Sequence, residues 1–157
     1  EIVAPGFKYN MTDIAAAIGL HQLARAEEMR LEREKIANYY FEDLGDCEEI
    51  ELPPTSPDRV HSWHLFYLRL NLENLSIDRA QFIEELKNRG VGCSVHWMPL
   101  HLHPYYKQTY GYKPEDHPTA SSTWPRLVSL PIFPGMTDDE MHHVASSVRD
   151  VCATFRK

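Results

Sequence analysis

The stretch from Gly6 to Leu23, GFKYNMTDIAAAIGLHQL, constrains this chain more than any other. A glycine, an aromatic, a basic and a second aromatic residue lead directly into a helix built largely from alanine, glycine and isoleucine. A helix this slim lets another backbone approach closely, and that is a packing surface with nothing bulky on it. Thr12 is placed to cap it, with Asp13 at the positive helix end. The apolar and small residues Ile14, Ala17, Ile18 and Leu20 give way to charged residues from Arg25 to Lys35, then Ile36, Tyr39, Tyr40 and Leu44 return to helical apolar spacing. The pattern predicts one long helix from Thr12 to about Leu44, stopped at Gly45. A wet middle between two apolar ends suits a strut between packed bodies; a plain amphipathic surface helix is the alternative.

The remainder reads as a small mixed domain. Pro53, Pro54 and Pro57 mark a loop, and Trp63–Leu70 (WHLFYLRL) has strand composition. Ser76 is the expected cap of a helix over Arg79–Arg89, with Phe82, Ile83 and Leu86 facing a core and Gly90 ending it. Val91–Trp97 reads as a second strand, Met98–Tyr112 as a proline- and tyrosine-rich loop, and Leu127–Pro131 as a short third strand. Thr137 to Glu140 forms a capping box opening a last helix with Met141, Val144, Val148 and Val151 inward. The fold class is α/β in the broad sense, an α+β small domain with helices on a short sheet.

The bulk numbers exclude more than they assign. The chain has 157 residues and a formal net charge of −7 with acidic and basic residues interleaved, so no basic face calls for nucleic acid. No apolar run approaches the roughly 20 residues of a membrane span. Cys47, Cys93 and Cys152 are odd in number and widely spaced, as reduced thiols of a cytoplasmic protein would be.

Three groups of residues have chemical potential. Gly6, Lys8 and Asn10, ahead of the free N–H groups at Thr12 and Asp13, offer what a phosphate needs, although an ordinary turn with a solvated lysine has the same residues. In Val95–His101 and on to Tyr106, a chain leaving a strand and turning at Pro99 can aim His96 and His101 into a cleft; the same histidines can equally fill the loop. The pairs His61/His64, His101/His103 and His142/His143 have no third partner in sequence, and a metal site needs three or four, so no metal is expected.

Taken together, GFKYNMTDIAAAIGLHQL, WHLF, VHWMPLH and LVSLPIFPGMTDDE resemble the DegT family of nucleotide-sugar aminotransferases in order and spacing, over about Pro5 to Val151. GFKYN and RVHSWHLF are most similar to its 4-amino-4-deoxy-L-arabinose branch. The commonest family version has asparagine where Lys8 stands and arginine where Asn10 stands, which leaves open which residue meets the phosphate. The resemblance implies the fold-type I (aspartate aminotransferase) architecture, with a turn and a long interdomain or interface helix over residues 1–45 and the C-terminal small domain over 46–157. It implies pyridoxal 5′-phosphate as cofactor, bound mainly by a large domain this chain lacks, and a homodimer in which Lys8 and Asn10 reach the phosphate of the partner's cofactor. His96, His101 and Tyr105 become substrate-side residues, toward a keto-sugar nucleotide, with glutamate as amino donor. None of the lysines (Lys8, Lys35, Lys87, Lys107, Lys113, Lys157) has the family's catalytic context. The catalytic lysine is therefore expected upstream of Glu1, no catalytic residue is expected in this chain, and the fragment alone is expected to be inactive. Two rivals remain: a relative with histidine in place of the lysine that dehydrates or deoxygenates sugars, and a non-catalytic dimerisation or regulatory module.

Overall fold

The computed structural model describes residues 4–157. Its helices are α1 (Asp13–Leu23), α2 (Ala26–Leu44), α3 (Arg79–Asn88), α4 (Pro104–Tyr110), α5 (Pro118–Thr123) and α6 (Asp138–Thr154). Its strands are β1 (Ile50–Glu51), β2 (Phe66–Leu70) and β3 (Leu127–Leu130), forming one antiparallel sheet in the order β1-β2-β3.

Register explains which face is covered. In an antiparallel pair, residues directly opposite share a face, and the face alternates along the strand. Phe66 lies opposite Leu130, Leu68 opposite Val128, and Leu70 opposite Ile50. All six are buried, so one side of the sheet is a continuous apolar floor. The other side carries Tyr67 and Arg69, both half-buried, and an ion pair of 2.6 Å from Arg69 to Glu51 across the strands. Arg126 also pairs with Glu51 and donates to Leu70 O at 2.6 Å. Helices on one face of a short sheet are what the pattern predicts.

The apolar floor is roofed by α2, α3 and α6. Phe82 and Leu86 of α3, with Met141, Val144, Ala145, Val148 and Val151 of α6, have 5% exposure or less. Thr137 and Glu140 close the expected capping box on α6. The α3 cap is Asp78, not Ser76: Asp78 accepts from Gln81 N while the Gln81 side chain answers the Asp78 N–H. Ser76 is engaged elsewhere, donating its N–H and hydroxyl to Phe155 O.

The expected single helix is two. Arg25 turns with φ −105° and ψ near 0°, its N–H bonded back to Gln22 O at 3.1 Å while the Ala24 N–H reaches Leu20 O at 3.3 Å. On the far side, α1 has no buried residue. α2 divides as its sequence divides. Its first half is held by surface ion pairs, Arg30 to Glu27 at 2.7 Å and Arg30 to Glu34 at 3.2 Å, which water and salt screen to a small contribution. Its second half buries Ile36, Tyr40 and Leu44 at 2% exposure or less, which at about 1.5–3 kcal/mol per large side chain outweighs the surface pairs several-fold. Gly45 then allows the exit: a Cβ there would meet Phe41 O at 2.7 Å.

Val91–Trp97 is not a strand. It follows β3 for one bridge, Ser94 with Ser129, exchanging hydrogen bonds of 3.1 and 2.8 Å. The expected loop Met98–Tyr112 contains α4, opened by Pro104 and closed by Gly111 at φ 70°, the proline-first, glycine-last arrangement of a short helix. Among the described residues no helix is long and apolar enough to cross a membrane.

Candidate functional site

The segment before α1 is an exposed arm. Phe7 and Tyr9 stand 86% and 85% exposed with their rings together, and Met11, Ile14, Ile18, Leu20 and Leu23 continue the uncovered apolar surface. Lys8 and Asn10 are exposed among them. Thr12 caps α1 by accepting from Ala15 N, and its carbonyl takes the Ala16 N–H. That leaves the Asp13 and Ile14 N–H groups at the positive end of the helix dipole. An anionic phosphate fits this arrangement: two backbone donors, a lysine ammonium and a carboxamide lie on one short segment with no bulk in the way.

The second predicted group follows the Ser94 bridge to β3. His96 is half-buried, with Nδ1 3.0 Å from Ser129 Oγ on β3, and its peptide bond to Trp97 is cis. Trp97, Leu100 and Tyr105 are exposed. His101 differs. At 6% exposure it sits 2.8 Å through Nε2 from Ser121 Oγ of α5, and Ser121 Oγ donates to Pro114 O at 2.8 Å. Because that hydroxyl proton is committed, neutral His101 donates from Nε2. Burial, and after it the neighbouring His117 ring with centroids 4.7 Å apart, holds its pKa below the ordinary 6.5; Asp116 acts the other way. His101 thus locks α5 onto the turn that follows Pro99. Tyr105 packs edge-on against Tyr106 and leaves its surface open. His96 and His101 therefore anchor the loop in two directions, while Trp97, Leu100 and Tyr105 form what it presents outward. Trp97 and Leu100 were not singled out in sequence; their signal was an apolar pair flanking Met98-Pro99 in a loop.

Several of the other paired histidines have structural partners. His143 Nε2 meets Arg89 O at 2.8 Å, His142 Nδ1 meets Tyr39 OH at 3.2 Å, and His103 Nε2 lies 3.3 Å from Met98 O. Among the described residues no three His, Cys, Asp or Glu side chains converge as metal ligands. The three thiols are free. Burial raises the pKa of each, Cys93 to about 11 and Cys152 to about 12, which keeps them protonated and unreactive.

Residues 1–149 match the DegT/DnrJ/EryC1/StrS aminotransferase family. The chain belongs to that family. It is 47% identical over 156 residues to an uncharacterized protein of Methanocaldococcus jannaschii, covering 99% of this chain and 40% of that protein. It is 40% identical to the spore coat polysaccharide biosynthesis protein SpsC of Bacillus subtilis, covering 96% of this chain and 39% of SpsC. Among solved structures, the PLP form of Spr1654, a candidate sugar aminotransferase from Streptococcus pneumoniae, superposes with a TM-score of 0.86 at 28% identity. That match covers 98% of this chain and 39% of the other. The chain thus spans about two fifths of the length of the relatives it matches. Family membership and the shared fold agree with the α+β architecture of an aminotransferase small domain.

Proposed function

We propose that this chain is the C-terminal part of a PLP-dependent aminotransferase that aminates a keto-sugar nucleotide, with glutamate as donor, in polysaccharide or cell-envelope sugar synthesis. The observation that carries the reading is the family match along residues 1–149. The candidate sugar aminotransferase Spr1654 has been solved in both PLP and PMP forms, and SpsC is named for polysaccharide biosynthesis. In this reading residues 1–45 supply the turn and linking helices and 46–157 the small domain, with α2 passing between the two.

The exposed arm supports a homodimer: among the described residues nothing covers its apolar side chains, and contiguous patches of that kind mark association surfaces. Lys8 and Asn10, with the Asp13 and Ile14 N–H groups, would hold the phosphate of the partner subunit's cofactor. When bound, that cofactor would accept the amino group from the donor and release it to the sugar ketone. The residues of this chain bind and orient. Lys8 and the helix end neutralise phosphate charge, His96 and His101 fix the loop that follows the Ser94 bridge, and Tyr105 is presented on the substrate side.

The test is a two-stage assay on the full-length protein loaded with PLP. Glutamate alone should yield 2-oxoglutarate in an amount equal to the cofactor, and a keto-sugar nucleotide should then be aminated. A protein that binds PLP but releases no 2-oxoglutarate, while dehydrating a sugar nucleotide, belongs with the dehydratase relatives. One that retains no PLP is a binding module, and the proposal fails.

A further inference from the structure

Residues 104–123 form a flap with no root in the core. Helices α4 and α5 and the short 3-10 turn Pro114–Asp116 between them contain no buried residue. Apolar burial therefore does not hold the flap to the domain, and the contacts at its edges have to. Beyond its far end, Arg79 of α3 stacks 4.3 Å over the Trp124 ring and donates to Trp124 O. At the near end the contact is made by His101.

The aromatic rings of the flap form a chain that ends on that residue. Tyr106 and Tyr110 stack with centroids 6.0 Å apart, Tyr110 and Tyr112 at 5.6 Å, and Tyr112 meets His117 edge-on at 5.5 Å. His117 then lies 4.7 Å from His101, whose ring is the buried member of the series. A polar path runs beside the rings, from His101 Nε2 to Ser121 Oγ at 2.8 Å and from that hydroxyl to Pro114 O at 2.8 Å. The ring chain from α4, the 3-10 turn and α5 thus converge on one imidazole.

That imidazole is a poor place for a second proton. The proton on Nε2 is committed to Ser121, and among the described residues Nδ1 makes no hydrogen bond, so an added proton gains no acceptor within the chain. The charged and titratable groups that face the ring are Lys107 on α4, Asp116 at the end of the 3-10 turn and His117 at the start of α5. Lys107 and His117 oppose a positive charge there. Asp116 favours one, but it already accepts the Lys113 N–H at 2.8 Å. The Tyr106, Tyr110 and Tyr112 rings complete the surroundings, and His103 is turned to Met98 O at 3.3 Å.

We propose that the His101–His117 pair is a protonation latch: closed while both rings are neutral, it releases residues 104–123 from the turn after Pro99 when a proton enters the pair. The sign follows from linkage. His101 freed from the pair returns to its ordinary 6.5, so the open flap binds more protons and acid favours it. The turn that the flap leaves carries Leu100, so opening loosens the surface that the amination reading assigns to the substrate side. The latch itself stands on this geometry and needs no reaction; that last consequence alone rests on the proposed activity.

Hydrogen exchange read by mass spectrometry on the full-length protein, corrected for the intrinsic effect of pH, tests the latch. Below about pH 6.5 the opening of residues 104–123 should increase by up to about tenfold per pH unit, the slope of one proton taken up on opening, while α6 keeps its protection. His101→Gln keeps an N–H to offer Ser121 and has nothing to titrate, so its flap should exchange alike at about pH 7.5 and about pH 5.5. His117→Gln removes the facing charge and should weaken the acid opening; it decides the matter if His101→Gln loosens the flap at both pH values. Wild-type exchange of residues 104–123 that does not vary with pH overturns the proposal. So does acid opening that persists in His101→Gln or is undiminished in His117→Gln, and so does loss of α6 protection alongside, which is global unfolding. Exchange reads the latch without turnover, so its failure leaves the aminotransferase reading standing, and failure of the two-stage assay leaves the latch standing.

Discussion

Tyr40 is the place to test whether α2 is part of the small domain or a strut resting on it. Its side chain is fully buried and its ring meets Phe66 edge-on with centroids 5.1 Å apart. Its hydroxyl donates to Pro131 O at 2.8 Å, just past the end of β3. One residue of α2 thus touches the middle strand through its ring and the edge strand through its hydroxyl. Tyr40→Phe removes the hydroxyl and leaves a carbonyl beside apolar neighbours, at a cost of about 1–2 kcal/mol. Tyr40→Ala adds loss of the ring and a cavity, for about 3–5 kcal/mol. In urea unfolding of the 157-residue chain the slope should stay constant and the midpoint should fall in that order. At about 2–4 °C per kcal/mol for a domain of this size, Tyr40→Phe should lower Tm by roughly 2–8 °C. If Tyr40→Ala costs under about 1 kcal/mol, well below the cost of truncating a buried ring, the second half of α2 is not part of the core, and the packing argument is wrong.

Three further outcomes follow from other positions. Gly45→Ala places a methyl 2.7 Å from Phe41 O and should cost about 1–3 kcal/mol by overpacking the end of α2, read by the same unfolding assay. His101 has a folded pKa below its unfolded 6.5, so the unfolded chain binds the extra proton in that window. Stability should therefore be complete above about pH 6.5 and fall as the pH drops toward the folded value, and His101→Gln should flatten that dependence in Tm against pH. Lys8→Ala in the full-length protein should weaken PLP binding by about tenfold or more, the worth of a charge-assisted contact, with Asn10→Ala smaller; fluorescence titration giving unchanged affinity for both would remove the arm from the cofactor site.

How much could be read in advance depended on whether the signal was local. Thr137 and Glu140 are three residues apart and define the start of α6 with no help from the rest of the chain. The alternation of Phe66, Leu68 and Leu70 likewise declares one covered face. Ser76 misled because it stands two residues before the true cap, and its hydroxyl is used by Phe155, 79 residues away. The break at Arg25 carries no glycine or proline and is flanked by good helix formers, so nothing nearby announces it. Val91–Trp97 has strand composition but only Ser94 finds a partner. α4 was legible in principle, since Pro104 and Gly111 bracket it, but the surrounding tyrosines and prolines read as loop. At the candidate site, the sequence singled out His96 and His101 as candidates, while the serines that hold them, Ser129 and Ser121, lie 33 and 20 residues distant. The turn before β2 depends on Trp63 taking a left-handed backbone state, φ 48°, that composition does not specify.

The sheet has a consequence for behaviour in concentrated solution. An open strand edge is a template on which further chains can add, and proteins keep such edges short or interrupted. Here β1 offers two residues, too few to seed a partner, and on β3 the chain at Ser94 already occupies both main-chain groups of Ser129. Intermolecular strand addition would have to displace that bridge first. Residues 91–97, although they never become a strand, therefore act as a guard against aggregation, and substituting Ser94 by proline should raise the turbidity of concentrated solutions while leaving the helices folded.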